Sequence, residues 1–320
     1  MRVLLWHVHG SWTTAFVQGG HEYLVPVTPD RDTDGLGRAR TYDWPDNVVE
    51  VPLDRLAEQE PDVVVLQRER DLELCRAYLR REPGRDVPAI WVEHNTPRGD
   101  PGACRHPLAE RSDVPIAHVT DFNAVYWDCG RAPTVVVEHG IVDPGLRYTG
   151  ELPRAAVAIN EPVRRWRITG TDLLAPLSAY APLDVFGMKV AGLGGHLQVQ
   201  PDRLTEHEDP PQARMHELMA ARRGYLHPMR WTSLGLSLLE AMHLGLPVVA
   251  LDATEVREAV PPGAGVVSCR IDVLGAALRD FVHDPELARE TGLRARAAAL
   301  DRYGLKRFLE DWDRLLKEVT

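Results

Sequence analysis

Short apolar runs rich in β-branched residues alternate along the chain with longer stretches of helical spacing, the pattern of parallel strands joined by crossover helices. In the first half this pattern predicts strands at Val3 to His7, Tyr23 to Val27, Val63 to Gln67, Ala89 to Glu93, Ile116 to Val119 and Thr134 to Glu138. Between them, Leu72, Cys75 and Leu79 make one apolar stripe of a helix over Asp71 to Arg81. The segment Asp143 to Pro153, with two prolines and two glycines, reads as a linker. After it the alternation resumes, with strands at Ala156 to Ile159, Leu183 to Phe186, Gly224 to His227, Pro247 to Leu251 and Gly265 to Ser268 and a helix over Leu236 to His243. Residues 201–213, rich in Asp, Glu, Pro and Gln, predict a loop. From Asp284 the spacing is helical to the end, where Phe308, Trp312, Leu315 and Leu316 form a stripe that needs a partner surface, expected on the first domain.

These elements predict an α/β protein of two Rossmann-like domains, residues 1–148 and 149–300, with a last helix at 301–320 returning to the first. The 320 residues exceed the usual span of a single core. Each open sheet offers a crevice at the carboxyl ends of its strands, so a ligand is expected between the domains.

Composition narrows the field. No apolar run approaches the ~18 residues of a membrane span. The N-terminal MRVLLWHVHG runs into a glycine turn without a small-residue cleavage site, so it reads as a first strand and not as a signal peptide. Cys75, Cys104, Cys129 and Cys269 are far apart and form no C-x-x-C pair, which points to a reducing cytoplasm. A net charge of -10 argues against a general nucleic-acid surface, so an anionic ligand needs a local basic pocket. Arg164, Arg165 and Arg167 supply one.

The most informative stretch is Tyr225 to Ala250, YLHPMRWTSLGLSLLEAMHLGLPVVA. A strand ends at His227-Pro228, a loop follows, and Gly235 turns the backbone into a helix. The free amides of Leu236 and Ser237 can then face a phosphate with the helix dipole behind them. About one turn further in, the Glu240 carboxylate can accept bonds from both hydroxyls of a ribose.

This stretch resembles the nucleotide-sugar motif of the retaining glycosyltransferases of family 4, E-x-F-G-x-x-x-x-E-A-M followed by G-x-P-V-V-A. Gly235, Glu240, Ala241, Met242, Gly245, Pro247, Val248, Val249 and Ala250 fall at matching positions. The motif's first Glu falls on Thr232, a departure that bears on the donor's sugar more than on its nucleotide. The resemblance implies a GT-B fold, two Rossmann-like domains facing each other across a cleft with a C-terminal helix crossing back. It also implies metal-independent transfer with retention from a nucleoside-diphosphate sugar to a small-molecule or glycan acceptor, with no cofactor. Glu240 carries over as the ribose ligand, with Thr232, Ser233, Thr254 and Glu255 beside the donor. Gly20-His21-Glu22 looks like the family's turn after the first helix, and His139-Gly140-Ile141 like its N-G-V segment at the domain junction. Asn160 to Arg167 stands where the family places an Arg and a Lys on the diphosphate, with Arg165 and Arg167 as substitutes; a solvated charge run is the plainer reading of these arginines.

His94 ends a strand at the crevice edge and can bond the donor sugar or the acceptor, or serve only as a structural His. Glu93 is expected to point the opposite way. His9, Gly10 and Ser11 replace a longer glycine-rich loop on the acceptor side. His7 and His9 on one strand face could ligate zinc, but a third ligand is not evident. Glu255 in a helix first turn also reads as a plain exposed residue and Asp121-Phe122-Asn123 as a helix cap, while Trp166 and Trp231 read either as stacking on a base or sugar or as core packing. No Walker sequence is present, and Gly192-Leu193-Gly194-Gly195 lacks the context of a dinucleotide site, which removes kinase and dehydrogenase readings. A catalytically degenerate nucleotide-sugar binder and a GT-B epimerase or phosphorylase stay open. The motifs do not specify base, sugar, acceptor or oligomeric state.

Overall fold

The computed structural model describes residues 1–97 and 99–320. The chain divides into two compact units, Met1–Val142 with Leu305–Thr320, and Asp143–Gly304. Each is a parallel sheet with helices.

The first unit carries β1 (Arg2–Leu5), β2 (Glu22–Val27), β3 (Val48–Pro52), β4 (Val63–Leu66), β5 (Ala89–Glu93), β6 (Ile116–His118) and β7 (Thr134–Val136), in the order β3-β2-β1-β4-β5-β6-β7. All neighbours pair in parallel. Val63–Leu66 is buried at every position, as a strand covered on both faces must be. The sequence pattern did not single out β3. It is a short edge strand whose exposed Val49 and partly exposed Glu50 break the apolar run, and edges tolerate that. The helix expected at 71–81 begins at Glu69 and keeps its turns to Leu79, with Leu72, Cys75 and Leu79 buried, until Arg80 in left-handed backbone (φ 59) ends it. Asp121 is not the cap of the next helix. Thr120 is, its hydroxyl accepting from the Asn123 amide at 3.1 Å.

Helix Leu305–Val319 belongs to this unit, and Phe308, Trp312, Leu315 and Leu316 are buried. The Trp312 ring meets Trp12 and Phe16 edge-on, with centroids 5.5 and 5.1 Å apart. Gly140 is required beneath it, because a Cβ there would lie 2.3 Å from Phe308 Cβ.

The second unit carries β8 (Leu152–Ala158), β9 (Leu183–Gly187), β10 (Leu204–Glu208), β11 (Arg222–His227), β12 (Val248–Leu251) and β13 (Gly265–Ser268), in the order β10-β9-β8-β11-β12-β13, again parallel throughout. The loop expected over 201–213 contains β10. The carboxylates that make this strand look loop-like have work at a sheet edge: Glu208 accepts from the amides of Lys189, Val190 and Ala191, and Glu206 from those of Gly192 and Gly194, at 2.6 to 2.9 Å.

In each sheet the chain starts at the centre, winds to one edge, and returns to wind to the other. The reversal falls between β1 and β4 in the first unit and between β8 and β11 in the second. Ligand crevices form at the carboxyl ends of strands beside such a reversal. No helix among the described residues is long and apolar enough to cross a membrane.

Candidate functional site

In the second unit the singled-out residues converge on the carboxyl ends of β8, β11 and β12, which are neighbours. Helix Leu236–Leu244 follows β11, with Gly235 as its N-cap in extended backbone (φ -72, ψ 119) and no side chain capping it. A larger residue does not fit, since a Cβ on Gly235 would lie 2.4 Å from Cε1 of the fully buried His227. The amides of Leu236 and Ser237 open the first turn, where a helix offers no internal acceptors. The Ser237 hydroxyl accepts from the Tyr225 hydroxyl at 2.9 Å, tying the helix start to β11.

The loop after β8 is fastened to the loop before this helix. The amide of Arg230 donates to the Ile168 carbonyl at 2.9 Å, and Arg230 Nη1 donates to the Arg167 carbonyl at 3.1 Å. Gly170 makes the approach possible, because a Cβ there would stand 1.9 Å from the Pro228 carbonyl oxygen. From the other side, the Thr254 hydroxyl donates to the Thr232 carbonyl at 2.7 Å, and the Glu255 amide to the Ser233 carbonyl. Thr232, Ser233, Thr254 and Glu255 thus belong to one knot of loops. Glu255 is buried, which goes against the plain exposed reading of it.

The cations of this knot differ in their company. Arg164 and Lys189 both pair with Glu161, while Arg167 and Arg230 both pair with Asp172. Among the described residues Arg165 alone of these five has no carboxylate within ion-pair distance. It is also half-buried, and burial with the neighbouring Arg164 charge pushes its guanidinium below the ordinary arginine value. The Glu161 charge acts the other way, but at no ion-pair distance, and a half-buried cation without an ion-pair partner fits a site whose counter-ion is a ligand. Trp166 and Trp231 are partly exposed, not core, and Trp166 holds left-handed backbone (φ 39).

Glu240 is buried, with Oε1 accepting from Gln212 Nε2 at 3.0 Å and Oε2 from His216 Nε2 at 3.3 Å. Sequence reasoning passed over this pair, although their i, i+4 spacing in helix Gln212–Ala220 places both on one face. A carboxylate only accepts, which suits this side chain to hydroxyl donors such as those of a ribose.

In the first unit His9, Gly10, Ser11 and His94 gather at the carboxyl ends of β1 and β5. His9 precedes helix Gly10–Phe16, and its ring lies over His94 with centroids 4.1 Å apart. Gly10 and Ser11 adjoin Tyr42, whose hydroxyl is 3.3 Å from Ser11 Oγ. His94 Nε2 stands 3.0 Å from Gln67 Oε1 at the end of β4. His139 joins the group: it and His9 both oppose a charge on His94, and His9 opposes one on His139. Burial holds His9 down at about 4, only partly opposed by the Glu93 charge, and holds His139 at about 3 and His94 well below the usual value. This is a cluster of neutral rings. His7 takes no part with His9, because β1 ends at Leu5 and His7 Nδ1 bonds the Gly37 carbonyl at 3.1 Å. No group of three or more His, Cys, Asp or Glu among the described residues is placed to hold a metal ion. Glu93 turns inward to accept from the Asn95 amide at 2.7 Å and from Trp91 Nε1 and His106 Nε2 at 3.2 Å.

Residues 206–298, which include the helix-start motif and Glu240, match the family model for glycosyl transferases group 1. Among curated proteins none matches the sequence. Among solved structures, sucrose-phosphate synthase from Thermosynechococcus elongatus superposes with a TM-score of 0.73 at 14% identity, over 99% of this chain and 98% of that one. HepE of Anabaena, solved with UDP and glucose, gives 0.71 at 15% identity over 99% and 100% of the two chains. A glycosyltransferase from Rickettsia africae ESF-5 gives 0.68 at 11% identity over 99% and 98%. At such identities the likeness speaks to the fold, which is that of the GT-B proteins.

Proposed function

We propose that the chain, which has the GT-B fold and matches the model for glycosyl transferases group 1 over residues 206–298, transfers a sugar from a nucleoside diphosphate to an acceptor hydroxyl, with retention and without a metal. The observation that carries this reading is Arg165, a half-buried cation without an ion-pair partner that ends the short helix Pro162–Arg165, whose following residues are fastened to Arg230 in the loop before Gly235. The acceptor oxygen forms its bond to the anomeric carbon on the face from which the diphosphate departs. The bond from that carbon to the diphosphate oxygen breaks, and the acceptor's proton passes to the departing diphosphate. Charge gathers on that leaving group, so donors already aimed at it stabilise the transition state more than the ground state. Arg165 and the amides of Leu236 and Ser237 take this role, with Arg167 further out. Glu240 holds the ribose, while Thr232, Ser233, Thr254 and Glu255 adjoin the donor sugar. His94 bonds a sugar hydroxyl, and His9, Gly10 and Ser11 lie on the acceptor side. The four unpaired cysteines suit a reducing cytoplasm as the place of work.

HepE was solved with UDP and glucose, so uridine donors are tried first. The test is a panel of nucleoside-diphosphate sugars incubated with the protein in excess chelator, reading free nucleotide and the anomeric configuration of any product. Release of nucleoside diphosphate in chelator supports the reading. Tight binding with no release points to a degenerate binder, and an inverted product removes retention.

A further inference from the structure

Gln67 ends the run that forms β4, and His94 follows the neighbouring β5. Gln67 is buried, and its Nε2 donates to the Trp6 carbonyl at 2.7 Å. Only the NH2 end of an amide can donate to a carbonyl, so Oε1 is the atom turned to His94 Nε2 at 3.0 Å. An amide oxygen only accepts. The contact is therefore a hydrogen bond only when His94 carries its proton on Nε2. In a neutral ring that leaves Nδ1 as the bare lone pair.

Packing keeps the ring where this bond can act. His94 lies against His9 on one side, and the edge of Trp12 meets it with centroids 5.0 Å apart. Burial and the neighbouring imidazoles of His9 and His139 oppose a second proton. Gln67 is in turn held by Asp71, whose Oδ2 accepts the Gln67 backbone amide at 3.0 Å and whose Oδ1 takes Arg68 Nε at 2.7 Å.

We propose that Gln67 is a positioning residue that fixes His94 as the Nε2–H tautomer, so that the imidazole meets its ligand as a hydrogen-bond acceptor for a hydroxyl. The selection follows from the chemistry. A lone pair on Nδ1 accepts from a sugar hydroxyl and repels a phosphate or carboxylate oxygen, so this position takes a neutral polyol face. The ligand half of the proposal rests on His94 being a site residue; the tautomer half does not.

Nitrogen-15 NMR of the histidine rings in the ligand-free protein separates the two halves. The expected result is a neutral His94 with its proton on Nε2 at pH 7, and loss of that fixed state in Gln67→Leu. Gln67→Glu replaces the amide oxygen by a carboxylate, so its His94 is expected to take a second proton within the accessible pH range. Slow hydrolysis of a nucleoside-diphosphate sugar supplies the second readout. Gln67→Leu should lower it by roughly three- to tenfold, the worth of one neutral hydrogen bond, and Gln67→Glu should acquire an acid limb absent from the wild type. A proton on Nδ1, or rapid exchange of tautomers in the wild type, overturns the proposal even where the variants fail to fold. A fixed Nε2–H tautomer together with unchanged hydrolysis in His94→Ala leaves the role of Gln67 standing and overturns the reading of His94 as a ligand residue.

Discussion

At the reversal of the second sheet the strand ends carry Arg165, the helix start at Gly235 and the buried Glu240, whereas at that of the first they carry His9, Gln67 and His94. The backbone plan is the same in both, a parallel sheet wound outward from its centre in two directions. Charge and backbone strain differ. Among the described residues, left-handed backbone at non-glycine positions is found at Glu161, Trp166, Lys189, Gln198, Asp209 and Thr254 in the second unit, against Arg31 and Arg80 in the first. Such residues cost of order 1–3 kcal/mol in the sparsest regions and persist where surrounding structure enforces them, commonly at ligand clamps. Both units bury imidazoles that resist a proton, His227 in the second among them, but only the first brings several together, at His9, His94 and His139. One scaffold thus carries a group of cations at one reversal and a group of imidazoles at the other, and the side chains at the strand ends make the difference.

The largest effect that can break this comparison is at Arg165. Arg165→Gln should lower nucleotide release from the donor by ~10²–10³-fold, the loss seen when one donor to developing charge is removed. Arg167→Gln should cost far less, because Arg167 is exposed and already matched by Asp172, and exposed pairs are worth about 0–1 kcal/mol. Equal losses in steady-state assays of the two variants would remove the distinction between matched and unmatched cations.

Acid should find the first unit next. Its buried histidines prefer the neutral form when folded, so the unfolded chain takes protons first. Their contribution is complete above about pH 6.5 and is lost as the pH falls through 6.5 toward 4. For His9 alone the loss approaches about 3 kcal/mol. Amide exchange at pH 7 and pH 5 should show protection in β1, β4 and β5 falling, and His9→Gln should flatten that dependence. The same slope in wild type and variant would show that His9 is not held neutral.

Glu240→Gln sharpens the donor side, with nucleoside affinity expected to weaken by about 1.5–3 kcal/mol as a charged acceptor is lost. Calorimetry with nucleoside alone reads this directly, and an unchanged affinity would take the ribose away from Glu240. The smallest effect is expected at His227, whose two ring nitrogens are buried without hydrogen-bond partners. His227→Phe removes those unsatisfied atoms and should raise stability by about 1 kcal/mol in chemical denaturation. A loss of stability would mean that the ring nitrogens are satisfied in solution.

Much of the fold is legible in the sequence because strands covered on both faces must be apolar throughout: Val63–Leu66 and Val248–Leu251 stand out for that reason. The edge strands β3 and β10 do not, since an edge tolerates Glu50, Glu206 and Glu208. In the second unit, the G-x-x-x-x-E spacing from Gly235 to Glu240 places a helix start and a carboxylate without any knowledge of the sheet. What stays hidden is pairing across long separations. Nothing local tells that Asp172 takes Arg230, 58 residues on, as well as its near neighbour Arg167, or that Gln212 and His216 hold Glu240. Gln67 and His94 are 27 residues apart, and only the adjacency of β4 and β5 brings them together.

The most direct measurement is calorimetric titration of the wild type and Arg165→Gln with a nucleoside diphosphate and, in parallel, with the corresponding nucleoside. If the second unit holds a diphosphate through its unmatched cation, the diphosphate should bind the variant about 1.5–3 kcal/mol more weakly, while the nucleoside binds both proteins alike. Equal diphosphate affinities would contradict the account, and so would a parallel loss for the nucleoside, which has no phosphate for Arg165 to grip.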